Sequence, residues 1–252
     1  MLPPITQVMV TAQFAEPLPN FNIIELGRLA ERFLEEFPTF NQINPAGPMP
    51  TNIAQLTGLE EMRAPVANFP RLKFDTLDGQ FTLLIQQDRL SISWQRSPDE
   101  NGKSVYPGFE DILKTLMRSI DNLNSHVDQD IVPFAGEIAY SNFFETSSEN
   151  GKIKLSSIFS LIEAVEDPIH MNGFTFSWNE ILDEENGAIQ VSIGAPSISP
   201  TPESFVLLEL TGIKAFSQDA ADMPRNFLDL RSSLRESFRR IVNASFRGEG
   251  NF

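Results

Sequence analysis

Alternation of apolar and polar residues at period two restricts this chain more than any other feature, because it marks strands that return in clusters of three. Residues 71–76 lead to Asp78-Gly79, a hairpin signal, 80–85 pair back, and 90–94 alternate. Residues 174–178 and 189–193 alternate again, with Asn186-Gly187 between them, and 205–210 is a third strand. A helical stripe follows each cluster. The first is Phe109, Ile112, Leu113, Leu116, Ile120 and Leu123; the second is Phe227, Leu230, Leu234, Phe238, Ile241 and Val242. A strand and a helix precede each cluster. Residues 7–14 put Val8, Val10, Ala12 and Phe14 on one face, and Ile23, Leu26, Ala30, Phe33, Leu34 and Phe37 then recur at helical spacing until Pro38. Residues 131–144 read as a long strand bent near Pro133 or Gly136, and Leu155, Ile158, Phe159 and Ile162 mark the helix after it.

The expected fold is α+β. Two pseudo-repeated halves, 1–126 and 127–252, each run β-α-β-β-β-α as a curved antiparallel sheet with helices packed on one face. The repeat is one of order and not of residues. The order is similar to that of the TATA-binding protein saddle, an analogy of topology alone. Residues 38–70 carry Pro38, Pro45, Pro48, Pro50, Pro65 and Pro70 and read as a long proline-rich loop with one helical turn near 59–62.

Charge narrows the partners. Nineteen Lys+Arg stand against 34 Asp+Glu, a formal net charge of −15. A general nucleic-acid binder needs a positive surface to displace phosphate counterions, and anionic lipid repels the same excess. Nucleic acid and membrane are therefore not expected as partners. A basic protein partner is favoured, because an acidic surface speeds encounter with one. Self-association is left open. Residues 1–5 lack a basic n-region and an apolar h-region, and no run reaches the roughly 18–20 apolar residues of a membrane span, so a cytoplasmic location is expected.

Little in the chain points to catalysis. Cysteine is absent, and the histidines are His126 and His170 alone, which disfavours multi-histidine metal sites. No P-loop, GxGxxG, GxSxG or HExxH pattern occurs. His126 reads more simply as a partner of helix-terminal carbonyls than as a base, since a base needs a spatially defined nucleophile. His170 reads as a loop residue. Asp183-Glu184-Glu185 offers oxygens that suit Mg2+ but lacks the spacing of a calcium loop, and reads as a solvated turn. Asn243-Ala244-Ser245 matches a glycosylation sequon but falls in an expected helix. No catalytic residue, metal or cofactor is assigned.

The last helix is the most contrasted segment, with Arg225, Arg231, Arg235, Arg239, Arg240 and Arg247. Arg231, Arg235 and Arg239 are spaced four apart and are expected on its outer face, opposite Leu230, Leu234, Phe238 and Ile241. Such a stripe can grip phosphate, nucleic acid or an acidic protein surface, or it can meet the chain's own carboxylates, which the net charge favours.

Three places together resemble a sporadically distributed family of uncharacterised bacterial proteins. One is residues 8–14 with the helix ending Glu36-Phe37-Pro38, like that family's strand and helix closed by Tyr/Phe-Pro. Another is Tyr106-Pro107-Gly108-Phe109, like its Tyr-x-Gly-Trp. The third is Ile138-Ala139-Tyr140-Ser141-Asn142, like its Arg-Tyr-Ile-Asn strand. Phe109 and Ala139 stand where the family has tryptophan and arginine. The resemblance implies no catalytic residues, and its motifs single out Tyr106, Tyr140 and Asn142 as binding candidates beside the arginines. It implies cargo of a mobile or defence locus: an antitoxin, an immunity protein or an accessory subunit.

The sequence thus favours a non-catalytic acidic interaction protein. Two other classes stay open. The 21 phenylalanines allow a small-ligand-binding protein with an apolar cavity between sheet and helices, although core packing accounts for them more simply. The other is a Mg-dependent carboxylate enzyme acting on a phosphate substrate.

Overall fold

The computed structural model describes residues 4–18, 23–50, 53–56, 70–97, 105–127, 131–147, 155–160, 174–183, 187–195, 203–216 and 222–247. The strands are β1 (Ile5–Phe14), β2 (Thr39–Ile43), β3 (Arg71–Asp75), β4 (Phe81–Gln86), β5 (Arg89–Gln95), β6 (Pro133–Ser147), β7 (Phe174–Asp183), β8 (Gly187–Ala195) and β9 (Glu203–Ala215). The helices are α1 (Ile23–Phe33), α2 (Ile53–Leu56), α3 (Phe109–Val127), α4 (Leu155–Ile158) and α5 (Met223–Ile241), followed by a 3-10 turn at Ala244–Phe246.

The strands form one antiparallel sheet of nine, ordered β2-β3-β4-β5-β1-β6-β9-β8-β7. Register explains why the alternating residues bury. One row crosses every strand as Phe40, Phe74, Leu83, Ile92, Val10, Ile138, Gly212, Ile189 and Glu180. The next row holds Phe81, Trp94, Val8, Tyr140, Leu210, Val191 and Trp178. These rows lie under α3, which packs on β5 and β1, and α5, which packs on β9 and β6. Phe109, Ile112, Leu116, Phe227, Leu234 and Phe238 close the core with no exposed surface. Full burial of each such side chain stabilises by about 1.5–3 kcal/mol.

The helix layer sits close to the sheet, and Gly136 on β6 makes this possible. A Cβ there would stand 2.2 Å from Phe216 Cζ and 2.7 Å from Phe227 Cε1. Any side chain at 136 would hold α5 away.

The opposite face is largely polar across β5, β1 and β6, and one of its rows turns apolar on β9 and β8. That row runs Leu84, Ser91, Thr11, Glu137, Ile213 and Ala188, and another Thr82, Ser93, Met9, Ala139, Thr211 and Gln190. Short hydroxyls link the strands there: Thr11 and Ser91 lie 2.9 Å apart, and Gln7 Nε2 donates to Ser93 Oγ at 3.2 Å. Next to the β4–β5 turn, the backbone leaving β2 is bound to this face. Gln86 exchanges hydrogen bonds with the Ala46 backbone, and Arg89 donates to the Gly47 carbonyl at 2.9 Å.

Several expectations need correction. Residues 38–70 are not loop throughout: Thr39–Ile43 is edge strand β2 and Ile53–Leu56 a helical turn, while the turn expected near 59–62 lies outside the described residues. Alternation hid β2 because all its residues keep solvent exposure, and the flanking prolines lie outside the pairing. The first group of elements therefore carries a strand more than the expected β-α-β-β-β-α order. α1 ends at Phe33, so Leu34 is exposed while Phe37 buries beyond the helix end. Beyond that end, Glu36 pairs with Arg118 of α3. α5 stops at Ile241 because Val242 turns extended and bridges to Phe159. No helix among the described residues is long and apolar enough to cross a membrane.

Candidate functional site

The start of α3, the middle of β6 and the middle of α5 meet at one cluster. Gly108, with φ +98°, turns the chain into α3 at Phe109, and Pro107 precedes it without an N–H to satisfy. That entry lays Tyr106 edge-on against Trp94, with ring centroids 5.2 Å apart. Trp94 and Tyr140 share a row of the sheet through Val8, so the two phenols come within hydrogen-bonding reach of each other.

Arg231 closes the cluster from α5. Its Nη1 donates to Glu110 Oε1 at 2.5 Å, and its guanidinium carbon lies 5.0 Å from the centroid of the Phe109 ring. It also donates to Tyr140, whose hydroxyl is then free to donate to Tyr106. Burial pushes the Tyr106 hydroxyl up to about 12 and the Tyr140 hydroxyl well above the usual phenol range, with Arg231 drawing both back. Both phenols are neutral at physiological pH. The Glu110 carboxyl is held below its usual range, chiefly by its own backbone N–H and then by Arg231 and Arg235.

The arginine stripe does not lie as expected. Arg231 is only 8% exposed, Arg235 is half-buried and Arg239 is exposed. The reason is helical geometry: each step of four residues advances by about 40° around the axis. Arg231 therefore starts beside the core stripe under α3, and only Arg239 reaches the outside. Arg235 and Arg239 form no ion pair among the described residues, and burial with the neighbouring Arg239 and Arg231 lowers the Arg235 guanidinium from its usual value. Leu228 and Ser232, both exposed, share this flank of α5, and Glu236, four residues after Ser232 and three before Arg239, borders its outer edge. Arg240 pairs with Glu180 of β7, and Arg247 bonds the Arg239 and Val242 carbonyls at the end of α5.

Of the residues singled out in the sequence, Tyr106, Tyr140, Arg231 and Arg235 come together, while Asn142 and Arg239 stand apart. Asn142 is fully buried one row on from Tyr140; its Nδ2 donates to the Leu208 carbonyl at 3.3 Å and its Oδ1 finds no partner. His126 lies in the last turn of α3 with Nε2 3.5 Å from Glu25 of α1. Asn243 falls beyond α5, with its amide held by the Ser156 and Ser157 carbonyls. His170, Glu184 and Glu185 lie outside the described residues. No cluster of three or more histidines, aspartates and glutamates suited to a metal ion occurs among the described residues.

Glu110 was missed by sequence reasoning, because an acidic residue in a first helical turn reads as ordinary dipole complement. The polar sheet face holds a second group that was missed. Asp88 and Arg89 form a buried, two-point ion pair, with contacts of 3.1 and 2.8 Å. Burial raises the Glu137 carboxyl on the same face above its usual range, opposed by Arg89. Turn residues such as Gln87-Asp88 carry no periodic signal, so nothing in the sequence marks this group. No protein-family model matches the chain, and no curated protein matches it.

Proposed function

We propose that the chain is a non-catalytic interaction protein that holds a protein partner along the α5 flank made by Leu228, Ser232, Arg235 and Arg239. One observation carries this reading: Arg231, Arg235 and Arg239 follow one another at four-residue spacing with a single carboxylate, Glu110, bonded among them. Like charges at that spacing repel; Glu110 offsets the repulsion at Arg231 and partly at Arg235, and Arg239 has no ion-pair partner among the described residues. A partner's carboxylates relieve the rest, and the exposed Leu228 supplies an apolar anchor. The flank runs against the chain's net charge of −15. Long-range attraction thus favours a partner that is basic overall, and the flank selects carboxylates at contact.

An antitoxin, immunity or accessory role at a mobile or defence locus, implied by the resemblance, is one form of this reading, as is a cytoplasmic setting. So is a division into related halves at 1–126 and 127–252. The strand order about the central β1–β6 pair supports that division, since β5-β4-β3 on one side mirrors β9-β8-β7 on the other.

The test uses the native chain and Arg235→Glu/Arg239→Glu as baits in extract of the source cells, with recovered proteins quantified. A protein recovered by the native chain and lost with the variant, at unchanged melting temperature, is the expected result. Identical recovery by both baits overturns the reading.

A further inference from the structure

We infer that Arg231, Arg235 and the first turn of α3 form a carboxylate-recognition site in which Glu110 is the chain's own occupant, displaced when a carboxylate of the partner arrives. The inference rests on the α5 flank being the docking surface, and it identifies the group that is read there. Arg231 is almost wholly buried, yet among the described residues its Nε hydrogen bonds to nothing, and the buried Nε of Arg235 is equally unpartnered there. Both arginines also attract the Glu110 carboxylate, so two guanidiniums face one acceptor. Glu110, by contrast, is loosely committed: its side chain is 68% exposed, so it can swing into water without unfolding anything. The acceptor it presents to Arg231 Nη1 is a carboxylate oxygen, which shows that the site accepts that chemistry.

The surroundings hold Arg231 in place when Glu110 leaves. Its guanidinium still lies on the Phe109 ring and still donates to Tyr140. The neutral phenols of Tyr106 and Tyr140 add no negative charge to repel an incoming carboxylate. The α3 N-terminus contributes the positive end of a 19-residue helix, and the Glu110 backbone N–H that its own carboxylate now uses is released when that carboxylate leaves. A carboxylate also explains the arrangement of charge better than a larger anion. The resident group bonds Arg231 and is attracted by Arg235 at once, so one carboxylate of the partner can replace both interactions.

The experiment needs no natural partner. The 15N-labelled native chain and Glu110→Gln are titrated with hexaglutamate while the arginine Nε–H signals are followed. Removing the resident carboxylate should tighten binding about tenfold, the factor for a site closed nine-tenths of the time by its own occupant. The Arg231 and Arg235 signals should move, and Glu110→Gln/Arg231→Lys should lose the gain. Should that double variant fail to fold, Glu110→Gln/Arg235→Gln replaces it, with the same loss expected. Equal affinity of the native chain and Glu110→Gln overturns the inference, because Glu110 is then no competitor. Movement of Arg239 without Arg231 also overturns it, yet leaves the docking flank intact. Tighter binding through Arg231, with partner recovery indifferent to Arg235→Glu/Arg239→Glu, removes the docking reading and with it the partner as the source of the carboxylate, while leaving Glu110 as the site's displaceable occupant.

Discussion

Arg231 of α5 reaches Glu110 at the start of α3 across 121 residues of sequence, with 2.5 Å between Nη1 and Oε1. The two ends of this contact are unequal, since the arginine is buried and the glutamate side chain is 68% exposed. Replacing Glu110 by Gln should therefore cost little, about 0–1 kcal/mol as for an exposed pair. Replacing Arg231 by Ala removes the donor to buried Tyr140 as well, and an unsatisfied buried polar group costs about 1–3 kcal/mol. Urea unfolding should place Arg231→Ala well below Glu110→Gln in stability. Equal losses would mean that the ion pair alone holds the junction.

The only tyrosines of the chain, Tyr106 and Tyr140, are both in this cluster. Each has its hydroxyl raised by burial, Tyr106 to about 12. An unfolded tyrosine ionises near pH 10. The folded state thus binds protons more tightly than the unfolded state, so the stabilisation is complete below about pH 10 and is lost as pH rises toward 12. Near-ultraviolet absorbance should show no tyrosinate at pH 10 in the native chain but substantial ionisation in urea. Tyr106→Phe should flatten the fall of stability above pH 10.

Two glycines should respond in opposite directions. Gly136→Ala drives a methyl group into Phe216 and Phe227, and overpacking of this kind costs about 1–3 kcal/mol or more. Gly27→Ala on α1 meets nothing within 4 Å and should gain about 0.5–1 kcal/mol from helix propensity. Thermal unfolding of the two variants checks both signs.

Asp88 and Arg89 hold the backbone that leaves β2. Each side chain is under a tenth exposed, and Arg89 also bonds the Gly47 carbonyl. Asp88→Asn strands a buried guanidinium and should cost about 3–5 kcal/mol. Replacing both residues with apolar ones of similar size should cost less. Limited proteolysis should cut within 44–50 faster in Asp88→Asn than in the native chain.

The sheet and its helical cover were legible because burial on one face imposes period two on strands such as β1 and β5, and a helical stripe on α3 and α5. β2 was not, since both of its faces keep solvent exposure and nothing selects an alternating pattern. The arginine–tyrosine cluster was half legible. The residue types at Tyr106, Tyr140 and Arg231 stand out, but four-residue spacing winds around the helix rather than keeping to one outer face, which is why Arg231 is buried and Arg239 is not. Glu110 and the Asp88–Arg89 pair depend on register and on contacts across the sheet, and no local pattern encodes either.

A photo-cross-linking residue placed at exposed Ser232 tests, in living source cells, whether a partner docks on the α5 flank. One discrete adduct is expected from position 232, absent when Arg235→Glu/Arg239→Glu is combined with it, and none from Gln190 on the polar sheet face. An adduct from position 190 with nothing at 232, or a 232 adduct that survives the charge reversal, would contradict docking on that flank.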